Sequence, residues 1–179
     1  MAQTQETPTQ LDAGGTGDAI DRLAGVAPGS AVAELRAQRA DVVKYAQGSY
    51  EVLLEPDDLG GVSREERELI AVRVGVSTPS TKLVEAHRAR LRALGTDRAL
   101  IAAVEEFPRG GALTPRLEAI LRHTDRLTKE PGVSTPEHIA ELKAAGLTPR
   151  DIVTISQLIA FLSFQVRVVA ALRLLGRNA

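Results

Sequence analysis

The sequence contains no cysteine among its 179 residues. Disulfides, thiolate nucleophiles, dithiol redox couples and metal sites with cysteine ligands are therefore excluded. The three histidines do not lie at metal-ligand spacing from one another, so neither a metal site nor any other cofactor is expected. Chemistry in this chain has to proceed without a cysteine thiol.

An excess of charge of one sign is also missing. Lys and Arg number 22 against 23 Asp and Glu, which gives a formal net charge of -1. Nucleic-acid binding relies on a clustered basic surface, and a balanced chain gives no sign of one. The first six residues have neither the basic nor the apolar region of a secretory signal. We expect a cytoplasmic protein that does not bind nucleic acid.

Aromatic residues make up only 3% of the chain, and strand-like alternation of apolar and polar residues is rare. Alanine and leucine, both strong helix formers, are abundant. The sequence predicts an all-α protein with one domain over residues 19–179. Residues 1–18 have Leu11 as their only large apolar side chain after Met1, too little to offset ordering entropy, and are expected to form a flexible N-terminal arm.

Capping signals divide the chain into helices. Ser63 with Glu66 fits a capping box, and the helix that follows should run to about Val74 and stop near Gly75. After this capping box, four Thr-Pro pairs combine an N-cap residue with a proline suited to the first helical position: Thr78-Pro79, Thr114-Pro115, Thr135-Pro136 and Thr148-Pro149. Three glycines fall where helices should end: Gly95, Gly132 and Gly146. These signals predict a bundle of seven or eight helices.

The most apolar stretch, residues 152–166, carries no charge over its 15 positions. A membrane span needs about 20 residues, so we expect a buried helix and no membrane association. Its large apolar side chains surround the helix: Ile155, Leu158, Ile159, Phe161, Leu162, Phe164 and Val166. One small bundle cannot cover these and its other apolar faces, which predicts a homo-oligomer.

A histidine and a glutamate interrupt two apolar helix faces. On a helix over residues 79–94, His87 shares its face with Leu83 and Leu91, and on the preceding helix Glu68 shares a row with small apolar residues. Adjacent antiparallel helices should bring the two side chains within hydrogen-bond reach. Such a pair either holds two helices in register or performs acid–base chemistry, and spacing alone does not separate these roles.

Other polar residues have simpler interpretations. The charges around Glu68, which are Arg64, Glu65, Glu66 and Arg67, are expected on the exposed first turn. His123 and His138 are also expected to be exposed. Arg167 follows the apolar stretch and suits either a substrate carboxylate or, more simply, a helix terminus.

Residues 64–74 and 80–95 together resemble the core of the carboxymuconolactone decarboxylase and alkylhydroperoxidase D (AhpD-like) superfamily. That core has a Glu, eleven residues, a Cys, two residues, a second Cys, three residues and a His. The Glu falls on Glu68 and the His on His87, with Ser80 and Leu83 at the two cysteine positions. Residues 117–127, 142–149 and 159–167 resemble the second half of the longer, peroxidase-related members.

The resemblance implies an AhpD-like helical bundle with a small-molecule ligand. It implies that Glu68 and His87 are the catalytic acid–base pair and that Ser80 and Leu83 bind substrate. Because the redox dithiol is absent, cysteine-based peroxidase turnover is excluded, and the acid–base chemistry of the lactone decarboxylase branch is what remains. The alternative is a non-catalytic descendant that keeps the oligomeric scaffold for ligand or partner binding.

Overall fold

The computed structural model describes residues 17–177, which form nine α-helices and one short 3₁₀ turn without any strand. Eight of these helices have at least seven residues. The helices are α1 (Ala19–Ala24), α2 (Ala31–Ala37), α3 (Ala40–Leu54), α4 (Arg64–Ser77), α5 (Thr81–Ala93), α6 (Arg98–Glu106), α7 (Pro115–Lys129), α8 (Pro136–Ala144) and α9 (Pro149–Arg177). The predicted all-α bundle is confirmed.

Most predicted helix starts are also confirmed. The capping box of Ser63 with Glu66 opens α4, and helices begin at the prolines of three of the four Thr-Pro pairs. The prediction for Thr78-Pro79 is wrong. Thr78 ends α4, donating its side-chain hydroxyl to the Val74 carbonyl at 2.7 Å, and Ser80 precedes the first residue of α5. Helix α4 thus continues past Gly75, where it was expected to stop. The Gly75 carbonyl accepts a hydrogen bond from the Ser80 backbone.

Helix α4 lies at the centre of the bundle. It packs against α5, α7, α9 and α6, and every residue from 67 to 75 is buried. The largest apolar cluster joins α4 to α7 and α9 through Ile70, Ile120 and Leu158, while a second joins α4 to α5 and α6 through Leu69, Leu91 and Val104. A charged residue within this buried part of α4 is thus surrounded by protein on most sides.

Helix α9 is 29 residues long and is the one helix within residues 17–177 that is long and apolar enough to cross a membrane. The core helix of a bundle meets the same criterion, and here the buried face of α9 packs on α1, α4 and α7. Its predicted apolar side chains are buried except for Phe164, which is 41% exposed.

Residues 1–16 of the predicted N-terminal arm lie outside the described residues. The structure does describe Gly17 and Asp18, which are the last two residues of the predicted arm. Asp18 has two partners. It caps α1 by accepting from the Asp21 backbone at 2.8 Å and pairs with Arg36 of α2 at 2.8 Å. Asp18 therefore ties the start of α1 to α2.

Several polar residues predicted to be exposed are buried instead. Arg67 is 2% exposed, because its guanidinium donates to three backbone carbonyls that close the loop before α4: Leu53, Leu59 and Val62. Burial lowers the pKa of Arg67 from its usual value. Glu65 and Glu66 are half-buried and bind Thr96 and Arg116, whereas Arg64 is exposed as predicted.

The expectation for His123 is also wrong. Its ring is 4% exposed between α7 and α9, with Nε2 lying 2.9 Å from the Ser156 hydroxyl. His138 is half-buried, and its Nδ1 accepts a hydrogen bond from the Thr135 backbone at the start of α8. Helical spacing predicts where both histidines lie on their helices. It does not show which neighbouring residues cover them, so their burial is not predicted by spacing.

Candidate functional site

Helices α4 and α5, which carry the candidate pair, approach each other closely at Gly75. A Cβ on Gly75 would meet Cγ2 of Val84 at 2.8 Å, so a side chain here would force the helices apart. Because α4 and α5 are close at this point, they remain neighbours further along, where Glu68 of α4 lies against His87 of α5. The absence of a side chain at Gly75 thus positions the pair described next.

Glu68 and His87 form a direct contact, as the sequence predicted. Oε2 of Glu68 lies 2.5 Å from Nδ1 of His87, and the two residues are 4% and 3% exposed. A carboxylate only accepts hydrogen bonds, so Nδ1 carries the hydrogen, and in the neutral form of the ring Nε2 has the lone pair. Among residues 17–177 no hydrogen bond to this Nε2 is seen.

Arg90 joins this pair, and the sequence analysis missed it. Its guanidinium lies 3.4 Å from Oε1 of Glu68, 2.8 Å from Oε1 of Glu55, and over the ring of Tyr50 at 5.4 Å. The carboxylates and the tyrosine raise the pKa of Arg90 despite its burial. Three residues beyond His87, Arg90 sits beside it on the helix surface, and this spacing is the signal that identifies it.

A cavity of about 170 Å³ opens beside the pair. Residues with polar groups in its wall come from α1, α3, α5 and α9: Arg22, Tyr50, His87, Arg90 and Gln165. Glu68 does not line the cavity and contacts two residues that do, His87 and Arg90. The site therefore has an inner carboxylate, an imidazole at the wall and a guanidinium beside the imidazole.

Gln165 is the second residue of the site that the sequence analysis did not single out. It is 1% exposed, and its Oε1 has no hydrogen-bond partner among the described residues. It lies on the buried face of α9, at helical spacing from Leu158, Leu162 and Val169. A glutamine on an otherwise apolar buried stripe was the available signal.

The structure places Ser80 and Leu83 away from this cavity wall. Leu83 is fully buried in the largest apolar cluster, and Ser80 is half-buried at the start of α5. Substrate binding by these two residues stays a prediction. Arg167 is exposed on α9 and donates to the Ser163 carbonyl at 2.6 Å. The expected helix-terminus role is wrong, because α9 continues beyond Arg167 to Arg177.

Chemically, the site can accept or donate a proton at Nε2 of His87 while Glu68 balances the imidazolium. Residues 17–177 hold no cluster of three or more metal-ligating side chains.

The sequence matches no protein-family model and no curated protein. Solved structures do match. An uncharacterized peroxidase-related protein from Silicibacter sp. shares 24% identity over 77% of this chain and 71% of its own, with a TM-score of 0.69. An uncharacterized peroxidase-related protein from Ralstonia eutropha, described as an alkylhydroperoxidase AhpD core, shares 23% identity over 76% and 71%, with a TM-score of 0.68.

A third structure is a protein of unknown function from Agrobacterium tumefaciens, whose description links it to antioxidant defence and AhpD. It shares 17% identity over 78% of this chain and 92% of its own, with a TM-score of 0.68. At these identities the likeness concerns the fold. The chain has the AhpD-like fold of peroxidase-related proteins and lacks the cysteines of the CxxC motif.

Proposed function

We propose that this protein is an acid–base enzyme in which His87 transfers a proton to and from a small molecule in the adjacent cavity. The contact of 2.5 Å between Glu68 and His87, with His87 at the cavity wall, is the observation that carries the proposal. Glu68 fixes the imidazole orientation and tautomer, which leaves Nε2 as the atom that exchanges the proton.

The reaction class is set by what the site contains. Nε2 removes a proton next to a carbonyl of the ligand, the resulting imidazolium is stabilised by Glu68, and the proton returns at a second ligand atom. Neither electrons nor an external oxidant are needed. Lactone isomerisation, which the sequence resemblance implies for this branch, is of this kind. In lactone decarboxylation, which the resemblance also implies, the bond between carbon and the carboxylate breaks, CO₂ leaves, and the imidazolium of His87 gives a proton to the carbon that keeps the electron pair.

The test uses proton exchange as its readout. Purified protein is incubated in D₂O with a panel of small lactones and keto acids, and loss of the ¹H signal next to the carbonyl is followed by NMR. We expect exchange or product formation for at least one compound, falling about 10²–10⁴-fold in His87→Gln. The matched control is Lys82→Ala on the exposed face of α5, which should leave the rate unchanged.

A second candidate is a non-catalytic scaffold. The observation that favours it is the Arg90 network, which ties α3, α4 and α5 together through Glu55 and Glu68. A scaffold role demands that His87→Gln destabilise the fold while no compound in the panel exchanges. Turnover that survives His87→Gln unchanged contradicts the catalytic proposal directly.

A further inference from the structure

The charged residues in the wall of the cavity beside His87 are both arginines. They are Arg22 of α1 and Arg90 of α5, and no carboxylate of the described residues lines the cavity. Glu55 and Glu68 pair with Arg90 without being part of the wall. A ligand in the cavity therefore meets guanidinium N–H donors, which suit an anion such as a carboxylate.

The packing of helix α1 directs Arg22 to the cavity. Ala19, Arg22 and Leu23 line the cavity together, because residues three and four apart lie on one face of a helix. Two aspartates at the start of α1 pair with Arg36 of α2, and the Ala19 backbone donates to Gln47 of α3 at 2.8 Å. Neighbouring helices thus fix the orientation in which α1 presents its arginine.

The guanidinium of Arg22 is within reach of a ligand. Its side chain is half-buried, and Nη1 donates to the Gly17 carbonyl at 2.6 Å in a solvent-exposed hydrogen bond. A guanidinium has five N–H donors, so a ligand carboxylate can share Arg22 with the contacts that this residue already makes. Arg90 already binds two carboxylates, which makes Arg22 the wall residue on which binding of a further anion depends most.

Nε2 of His87 opens to the same cavity. It has no hydrogen bond among the described residues, yet it is not one of the buried side-chain atoms that lack a partner there. An atom that is neither paired nor buried is accessible, and His87 lines this cavity. The atom that exchanges the proton and the guanidinium of Arg22 therefore face one ligand.

The size of the cavity limits that ligand to a small molecule. A cavity of about 150 Å³ is known to accept benzene, so the 170 Å³ here suits a molecule about the size of a substituted six-membered ring. Ala19, Leu23 and Ala86 form an apolar part of the wall. A compact carbon skeleton with one carboxylate fits this combination of groups.

We infer that Arg22 binds the carboxylate of a small anionic ligand in this cavity and so selects carboxylic acids over neutral molecules of the same shape. The inference deepens the proposed function, on which it rests for the use of the cavity as the site of reaction. Helix α1 lies outside the segments that resemble the AhpD-like superfamily, so the resemblance gives Arg22 no role. Recognition of the acid is assigned to Arg22, and proton transfer stays with His87.

Benzoate and benzamide are the probes, because they are similar in shape and differ in the charge of the group offered to Arg22. Their dissociation constants are measured by NMR titration with the full-length protein at neutral pH. We expect benzoate to bind about tenfold more tightly than benzamide, or better, which is the effect of charge-assisted hydrogen bonds. Arg22→Gln should abolish that preference. Arg92→Gln, at an exposed position of α5 outside the cavity wall, removes the same charge and should retain it.

Several results overturn the inference. They are equal affinity of the wild type for the two probes, no binding of benzoate, and a preference that survives Arg22→Gln. An equal loss of preference in Arg92→Gln also overturns it, because the effect then belongs to the net charge of the protein and not to the cavity.

Arg22→Lys is the second variant, since it keeps the charge and most of the side-chain stem. Lysine lacks the planar fork that binds a carboxylate through two hydrogen bonds, so benzoate affinity should lie between those of the wild type and Arg22→Gln. Wild-type benzoate affinity in Arg22→Lys contradicts the inference, and this holds even where Arg22→Gln does not fold.

A carboxylate at Arg22 can come from a free small acid or from the acidic residues within 1–16, Glu6 and Asp12. The Glu6→Gln/Asp12→Asn variant distinguishes these sources. Unchanged benzoate affinity shows that the site serves free acids alone, and tighter binding shows that these side chains compete for the same site. Either result supports carboxylate binding by Arg22 when Arg22→Gln removes the preference.

The proton-exchange assay separates the inference from the proposed function. For keto acids that exchange, Arg22→Gln should raise KM with a smaller effect on kcat, because it removes binding and leaves His87 in place. His87-dependent exchange with an unchanged KM in Arg22→Gln overturns the inference, whereas the proposed function stands. A benzoate preference that depends on Arg22 supports the inference even where no compound of the panel exchanges.

Discussion

Nδ1 of His87 on α5 lies 2.5 Å from Oε2 of Glu68 on α4, and both side chains are enclosed by the bundle. Arg90 holds the other oxygen of the same carboxylate from one turn further along α5. Glu68 is therefore the residue on which a histidine and an arginine of the neighbouring helix converge. Changing it disturbs the fold and the candidate chemistry together.

Glu68→Ala is expected to destabilise the protein by about 3 kcal/mol, because it leaves buried partners without their carboxylate. The Glu68→Ala/His87→Ala double variant should cost less than the sum of the single variants. Urea unfolding of the four proteins measures the coupling. Glu85→Ala, on the exposed face of α5, is the control and should change stability little; additive effects of Glu68 and His87 would contradict the pairing.

His123 predicts an acid-sensitive component of stability. Burial, assisted by the charges of Arg126 and His138, lowers the pKa of His123 from 6.5 to about 4. Its Nε2 donates to Ser156, whose hydroxyl donates to the Ile152 carbonyl, and Nδ1 has no partner in the described chain. The folded protein thus holds this ring neutral, while the unfolded chain takes up a proton below pH 6.5.

Because the unfolded state binds more protons between pH 6.5 and 4, the stability due to His123 falls as the pH falls through this window. The full loss is on the order of 3 kcal/mol. Chemical unfolding of wild type and His123→Gln from about pH 7.5 to about pH 4.5 measures it, and their difference removes the contribution of carboxylates. Parallel pH curves for the two proteins would disprove the assignment.

Gly61→Ala is expected to destabilise the junction between the loop before α4 and the start of α9. A Cβ at this position would lie 2.5 Å from Oδ1 of Asp151, which accepts a hydrogen bond from the Gly61 backbone at 3.1 Å. Asp151 is buried and also binds Thr148, so it has little room to move. We expect a loss of about 1–3 kcal/mol in chemical unfolding.

Gly48→Ala is the matched control, because Gly48 lies within α3 and a Cβ added there would have nothing within 4 Å. Alanine is the better helix former, so this change should stabilise the protein by up to about 1 kcal/mol. Equal effects of the two glycine substitutions would contradict the role of Asp151.

Thiol-dependent peroxidase activity is expected to be absent despite the AhpD-like fold. Neither the Ser80 hydroxyl nor the Leu83 side chain can form a sulfenic acid or a disulfide. Hydroperoxide consumption in the presence of a dithiol should match that of the heat-denatured protein. A rate clearly above that control would refute the prediction.

Association into a homo-oligomer is expected from an apolar groove of about 620 Å³ between α3 and α9. Tyr45, Val52 and Phe164 line it and are 70%, 65% and 41% exposed. Contiguous apolar surface of this kind usually marks an interface. Light scattering at micromolar concentration should give a multiple of 19.1 kDa, and Tyr45→Lys should reduce it, whereas a monomer mass for the wild type would defeat the prediction.

The sequence by itself determined the helical class, most helix starts and the Glu68–His87 pair. Thr-Pro pairs and the capping box act locally, through backbone groups a few residues away, so they are readable without tertiary structure. Helical periodicity likewise placed Glu68 and His87 on buried faces. Thr78 lies between α4 and α5 and can cap the end of one or the start of the other. Its hydroxyl donates to the Val74 carbonyl and caps the end of α4, so the predicted helix start at Thr78 is wrong.

Only the tertiary structure decided which charges are buried and what surrounds the pair. Arg67 and Arg73 lie inside because acceptors on other elements receive them. Arg67 donates to carbonyls of α3 and of the loop before α4, and Arg73 donates to the Asp125 carboxylate at 2.5 Å. Gln165 reaches the cavity from α9, far along the chain from His87. Such contacts depend on how helices pack against one another, and packing depends on side-chain shape across the whole core, which short-range sequence patterns do not encode.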